Sequence, residues 1–242
     1  MKKSFAGLMA AGMLFVSVPF TASASGGEKH PEKVVEYVAL GDSIAAGMTP
    51  YGEIGKSYPD FIKNYFEKGN YTLLDYDNFG VPGYTSLQLK TALQMNVRTI
   101  KEVKEATHIT INIGANDLFR KLLSDPSRAS EGIAEARDNL QASLQQIDRL
   151  NPGAHVYVMG YYNPFSYYSE EAQAFLVPLN DALNTVIETA ARENGDTYVP
   201  TGPAIDPHFE KYMPNPEDNH LNVKGYKVIA KAFWKAIKED RK

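Results

Sequence analysis

Short apolar runs and longer amphipathic stretches alternate along the chain. Residues 34–40 (Val-Val-Glu-Tyr-Val-Ala-Leu) are nearly all apolar or β-branched, and the run stops at Gly41. A run of that length predicts a strand buried on both faces of a parallel sheet. Residues 71–76, 108–113, 154–159 and 197–199 predict four more strands. Between them apolar positions recur every three or four residues, the period of a helix with one buried face. Tyr58, Phe61, Ile62 and Tyr65 mark a helix over 57–67, and Leu87, Leu89, Leu93, Val97, Ile100 and Val103 mark one long helix over 86–106. Ile133, Ala136, Leu140, Leu144 and Ile147 do the same over 130–150, and Leu176, Leu179, Leu183, Val186 and Ala190 over 170–194. Tyr226, Ile229, Ala230, Phe233 and Ile237 mark a last helix over 223–238.

Strands alternating with helices imply βαβ units. The expected fold is α/β: a three-layer α/β/α sandwich around a five-stranded, flavodoxin-like parallel sheet. With no internal repeat or linker visible, residues 34–242 are read as one domain. Ligands of such sheets sit beyond the carboxyl ends of the strands, so chemistry is expected in the loops after Leu40, Tyr76, Ile113, Met159 and Val199.

The first residues follow a different pattern. Lys2 and Lys3 precede an apolar run over 5–18, Pro19 breaks it, and Ala22-Ser23-Ala24 supplies small residues. That is the layout of a cleaved secretory signal over 1–24, too short an apolar run to span a bilayer comfortably. Residues 25–33 read as a flexible lead-in. The expected location is outside the cell, free or wall-associated, with no integral membrane segment left after cleavage.

Composition narrows the chemistry. The 242 residues contain no cysteine, which excludes disulfides, a thiolate nucleophile and Cys-ligated metals. Lys and Arg number 25 against 29 Asp and Glu, so no basic excess exists to neutralise phosphates, and a nucleic-acid partner is not expected. The five histidines form no His-x-x-x-His pair, so neither a metal nor a cofactor is expected.

The loop after the first strand reads Gly41-Asp42-Ser43-Ile44-Ala45-Ala46-Gly47. A serine between strand and helix is placed to attack a ligand, or simply to cap a turn. The Gly-x-Ser-x-Gly elbow of α/β-hydrolases is absent. The second loop, Asp77-Asn78-Phe79-Gly80-Val81-Pro82-Gly83-Tyr84-Thr85-Ser86, is glycine-containing, so a backbone amide can approach a ligand closely. The third reads Gly114-Ala115-Asn116-Asp117, where a carboxamide would donate to an oxyanion or make an Asx turn. Ahead of the last helix, Glu217-Asp218-Asn219-His220 sets acids two and three places before a histidine. One ring nitrogen would then be held by an acid while the other takes a serine proton.

These four blocks, in this order, resemble the GDSL or SGNH hydrolases, named for Ser, Gly, Asn and His. The match covers Val34 to the C-terminus, with Ile44 where the family name has Leu. The resemblance implies Ser43 as nucleophile and His220 as base and later acid. It implies an oxyanion hole from the backbone amides of Ser43 and Gly80 and the side chain of Asn116. The family usually has Asp three residues before the histidine. Here Glu217 holds that position and Asp218 follows, so spacing favours Glu217 and residue type favours Asp218.

The expected activity is a secreted serine esterase or lipase-like acylhydrolase acting through an acyl-serine. The alternatives are a non-catalytic binding protein on the same scaffold or a polysaccharide acetylesterase. Asp42, Tyr84, Tyr161 and Tyr162 are the substrate-binding candidates, and Phe165, Tyr167 and Tyr168 add to an aromatic segment that would line an acyl or sugar pocket. Phe79, Val81 and the region of Met48 suit short or medium acyl chains, and no long lid rich in Leu and Phe is evident. The partner is a small-molecule, lipid or carbohydrate ester.

Overall fold

β1 (Lys33–Gly41) lies inside a five-stranded sheet of order β2-β1-β3-β4-β5, with β2 (Tyr71–Gly80), β3 (His108–Asn112), β4 (His155–Gly160) and β5 (Thr197–Pro200). All four pairings are parallel, so the sheet has the flavodoxin-like order 2-1-3-4-5. This computed structural model describes residues 33–240. The expected signal peptide over 1–24 and all but the last residue of the expected lead-in fall outside the described residues, and Lys33 already belongs to β1.

The helices are α1 (Ser43–Ala46), α2 (Tyr58–Lys68), α3 (Ser86–Met95), α4 (Val97–Glu105), α5 (Ala115–Ser124) and α6 (Ala129–Leu150). They continue as α7 (Glu170–Asn194), α8 (Gly202–Ile205), α9 (Phe209–Tyr212) and α10 (Val223–Glu239). α2 and α10 pack on each other, with the Tyr58 ring stacked on Phe233 at 4.9 Å, and α3, α5 and α7 gather around α6. The helices thus form a layer on each side of the sheet. The central strands are buried on both faces because each face carries helices: Val38, Leu40, Ile109, Ile111, Val156 and Val158 on one face and Tyr37, Ala39, Thr110, Tyr157 and Met159 on the other are all buried. Among the described residues no helix is long and apolar enough to cross a membrane.

Three features depart from the periodicity. The expected helix over 86–106 is two helices, because Asn96 leaves helical geometry (φ −85°, ψ 109°) and its side chain accepts the Thr99 amide to start α4. Val97, counted among the buried positions, is therefore 81% exposed. β2 runs on to Gly80, since pairing with β1 continues to Gly41 opposite Gly80. The third is α5, which follows β3 where a turn was read.

Candidate active site

The serine turn is built from beneath. β1 ends at Gly41, and Asp42 caps α1 by accepting the Ile44 amide at 2.9 Å. Its carboxylate also accepts the Asn112 side-chain amide (2.6 Å) and the Tyr161 hydroxyl (2.7 Å), while Tyr58 donates to the other side of Asn112. Asp42 borders the cleft but is only 1% exposed, and with its oxygens taken by these partners it holds the turn. Gly47, left-handed at φ +82°, closes the turn. Ser43 is left at the cleft with its backbone N–H unpartnered among the described residues.

Burial raises the Asp42 carboxyl from its ordinary value to about 6, and the hydrogen bonds from Ile44 and Tyr161 only partly offset that. The fold therefore favours the neutral acid. The stability this brings is complete below about pH 4, the unfolded value, and is lost as pH rises through 6. Asp42→Asn does not ionise. Between pH 3.5 and 7 the wild type is expected to lose about 2–3 kcal/mol relative to that variant. Thermal melts of both proteins at both pH values check this; an unchanged gap would contradict it. The comparison cancels His108, which burial lowers to about 4 in either protein.

The histidine comes from the loop before α10. His220 Nε2 lies 2.8 Å from Ser43 Oγ, across 177 residues of sequence, and His220 Nδ1 lies 2.8 Å from Asp218 Oδ1. With the Asp218 carboxylate accepting from Nδ1–H, Nε2 is left to accept the serine hydroxyl. The acid is therefore Asp218 and not Glu217, which the spacing favoured. Asn215 accepts the Glu217 amide through its side chain and the Asp218 amide through its carbonyl. That turn leaves Glu217 exposed at the cleft rim and folds Asp218 back, so that Oδ1 also accepts the His220 amide at 2.7 Å.

Asn215 also donates to the Pro50 carbonyl (2.8 Å), tying the histidine loop to the segment that follows the serine turn. Asn215→Ala is expected to lower kcat on a p-nitrophenyl ester by about 10–100-fold with little change in KM, because an ångström of misplacement costs on that order. Steady-state kinetics with a matching circular dichroism spectrum decide it, and a wild-type kcat would show that this tie holds nothing in place.

The second loop is arranged differently from the expectation that the Gly80 amide faces the cleft. The Gly80 amide donates to Asn78 Oδ1 at 2.9 Å, and Gly80 does not line the cleft. A methyl group there would lie 2.3 Å from the Ala46 nitrogen, so this glycine lets the end of β2 press against α1. The cleft-lining glycine of the same loop is Gly83, with φ +77° and no partner for its amide among the described residues. Its carbonyl accepts from Arg120 at 3.0 Å. Asn116, in the first turn of α5, donates one amide hydrogen to the Tyr84 carbonyl (2.8 Å) and keeps the second for the cleft. Gly83 was legible as the second glycine of Gly80-Val81-Pro82-Gly83, but nothing local separates the two.

These groups share one cleft of about 950 Å³. Tyr161 and Tyr162 border it, yet their rings are buried and their hydroxyls are engaged by Asp42 and by the Asn219 carbonyl (2.7 Å). Burial pushes both phenols well above their usual range, so they remain neutral and act as struts. Tyr84 packs against the core and is not a cleft wall. Phe165, Tyr167 and Tyr168 do line the cleft, as do Leu118, Phe119, Leu122 and Leu123 of α5. That helix is the apolar element rich in Leu and Phe that was not evident from sequence. Among the described residues one acidic group, Asp75, Asp77 and Glu102, has oxygens within 4.8 Å of one another. It lines no part of the cleft, and Asp77 is ion-paired with Arg98.

Residues 39–228 match the model of the GDSL-like lipase/acylhydrolase family. An uncharacterized protein of Bacillus subtilis strain 168, YpmR, is 25% identical over 94% of this chain and 92% of its own. Two solved structures share the fold. The lipase Lip_vut3 from a goat rumen metagenome has TM-score 0.67, 18% identity, and coverage of 84% of this chain and 97% of its own. The acetylxylan esterase Axe2 of Geobacillus stearothermophilus has TM-score 0.65, 20% identity, and coverage of 85% and 95%.

Proposed function

The chain belongs to the GDSL-like lipase/acylhydrolase family and is an ester-hydrolysing enzyme, and from that premise we propose that it is an exported serine esterase working through an acyl-serine intermediate. The observation that carries the mechanism is the unbroken chain Ser43 Oγ, His220 and Asp218, with both contacts at 2.8 Å. Ser43 Oγ attacks the ester carbonyl as His220 Nε2 takes its proton, and Asp218 supports the imidazolium that forms. The oxyanion of the tetrahedral intermediate is met by the amides of Ser43 and Gly83 and by the free Asn116 N–H. Preorganised donors of this kind are each worth roughly 2.7–4 kcal/mol of barrier. His220 returns its proton to the leaving alcohol, and a water then repeats the sequence in reverse on the acyl-serine.

A fluorophosphonate is expected to label one residue, Ser43, stoichiometrically, with parallel loss of p-nitrophenyl ester hydrolysis. Labelling elsewhere, or hydrolysis that persists after full labelling, would refute the proposal. Asn116→Ala is expected to lower kcat about 100-fold while KM moves little, since the donor acts in the transition state. A change confined to KM would remove Asn116 from the oxyanion hole. Export is proposed from the N-terminal pattern of Lys2, Lys3 and the apolar run before Ala24. The N-terminus of the protein recovered from an expressing bacterium's medium is expected at Ser25, and retention of Met1 would refute it.

A further inference from the structure

The cleft has two chemically different ends. Its charged residues, Asp42, Glu217, Asp218 and His220, all belong to the serine turn or the histidine loop. Away from them the walls are Leu118, Phe119, Leu122 and Leu123 on α5, facing Phe165 and Leu176. Of the polar side chains on that part of the lining, Asn180 is buried and donates to the Tyr162 carbonyl, and the Tyr167 hydroxyl donates to the Met213 carbonyl. Arg120 and Lys121 of α5 do not interrupt the stripe: Arg120 bonds the Gly83 carbonyl, and Lys121 pairs with Glu131 and Glu135.

The stripe starts beside the reaction centre, because Asn116 opens the same helix. From Asn116 to Leu123 an α-helix rises roughly 10 Å at 1.5 Å per residue. The walls are braced by aromatic edges, Phe119 on Phe165 (5.8 Å between centroids) and Phe165 on Tyr168 (5.6 Å). At the outer end Leu123 is 88% exposed and Tyr168 52%, an apolar lip that solvent covers in the free protein. An acetyl group at Ser43 would leave the accessible surface of Phe119, Leu122, Leu123 and Leu176 wet. Hydrogen-bonding side chains are few along it: Asn180 within the wall and the exposed Tyr168 hydroxyl at the lip.

We propose that the trough between α5 and the Phe165–Leu176 wall is an acyl-chain site, so that the substrates are esters of unbranched medium-length fatty acids rather than acetyl esters. This rests on the serine-esterase reading above. The acyl carbonyl sits at Ser43, its chain lies along Leu118, Phe119 and Leu122, and the leaving alcohol projects past Glu217 at the opposite rim.

Burying one methylene favours binding roughly fourfold. On p-nitrophenyl acetate, butyrate and octanoate, kcat/KM is expected to climb with chain length, by about 100-fold or more from the first to the last when the six added methylenes are partly buried. Leu122→Trp, which fills the trough, is expected to lower the octanoate-to-acetate ratio at least about tenfold by excluding two or more methylenes. Leu123→Asp changes an exposed side chain, so folding is not at stake, and it is expected to lower the same ratio. Preference for acetate or acetylated xylan over octanoate overturns the trough, as does a ratio unchanged in both variants. Failure to cleave any ester, with no phosphonate labelling of Ser43, overturns the serine-esterase reading instead.

Discussion

Ser43→Ala is expected to lower kcat/KM on a p-nitrophenyl ester by about 10⁵-fold or more while leaving the melting curve essentially unchanged. The size follows from cooperation. Ser43 Oγ and His220 Nε2 share one hydrogen bond of 2.8 Å, and neither does chemistry without the other. His220→Ala should therefore cost about as much as Ser43→Ala, and the double variant should be no worse than either alone. Independent effects that multiply in the double variant would mean that the two residues do not act as a unit. Near-wild-type activity in either single variant would end the mechanism. Stability should hardly move, because Ser43 is held through its backbone and through Asp42, not through its hydroxyl.

The second large effect is expected at Gly80. A β-carbon there would sit 2.3 Å from the Ala46 nitrogen and 2.6 Å from the Ala45 carbonyl carbon. Both are backbone atoms of the helix that carries Ser43, so relief requires moving the strand end or the serine turn. Overpacking of that kind typically costs about 1–3 kcal/mol. The displacement also separates Ser43 from His220, for which a further loss of about 100-fold in kcat is expected. Gly80→Ala should thus be both less stable and nearly inactive, read by thermal melting and by kinetics on the folded fraction.

Gly83→Ala is the informative contrast. No atom lies within 4 Å of a β-carbon at Gly83, so its cost is the left-handed backbone alone, roughly 1–2 kcal/mol. A Gly80→Ala protein with the melting temperature and kcat of the wild type would show that β2 does not press on the serine turn.

Much of this arrangement was legible from local pattern. Each strand of the sheet shows as a short apolar run, and each long helix shows as a three- to four-residue period, because burial of one face or both is written position by position. The parallel sheet in turn assigned the loops where chemistry belongs, and Ser43, Asn116 and His220 all line the cleft at those loops. Other features depended on distances that no local pattern contains. The pairing of Gly41 with Gly80 carried β2 four residues past its apparent end, where the Asn78 side chain engages the Gly80 amide and Gly83 is left lining the cleft. A turn organised by Asn215, and tied to Pro50, chose Asp218 over Glu217.

Asp42, Tyr161 and Tyr162 have the chemistry of ligand contacts, yet their polar atoms are consumed by one another and by Asn112 and Asn219. Even α5 fits this account, since its Leu and Phe positions have helical spacing, yet only Leu118 is buried in the core while Phe119, Leu122 and Leu123 keep surface at the cleft. Amino-acid order encodes how strongly each position avoids water. It does not encode which donor has already found an acceptor, because partners such as Asp42 for Tyr161 and Asn219 for Tyr162 arrive from distant segments only after the chain has closed.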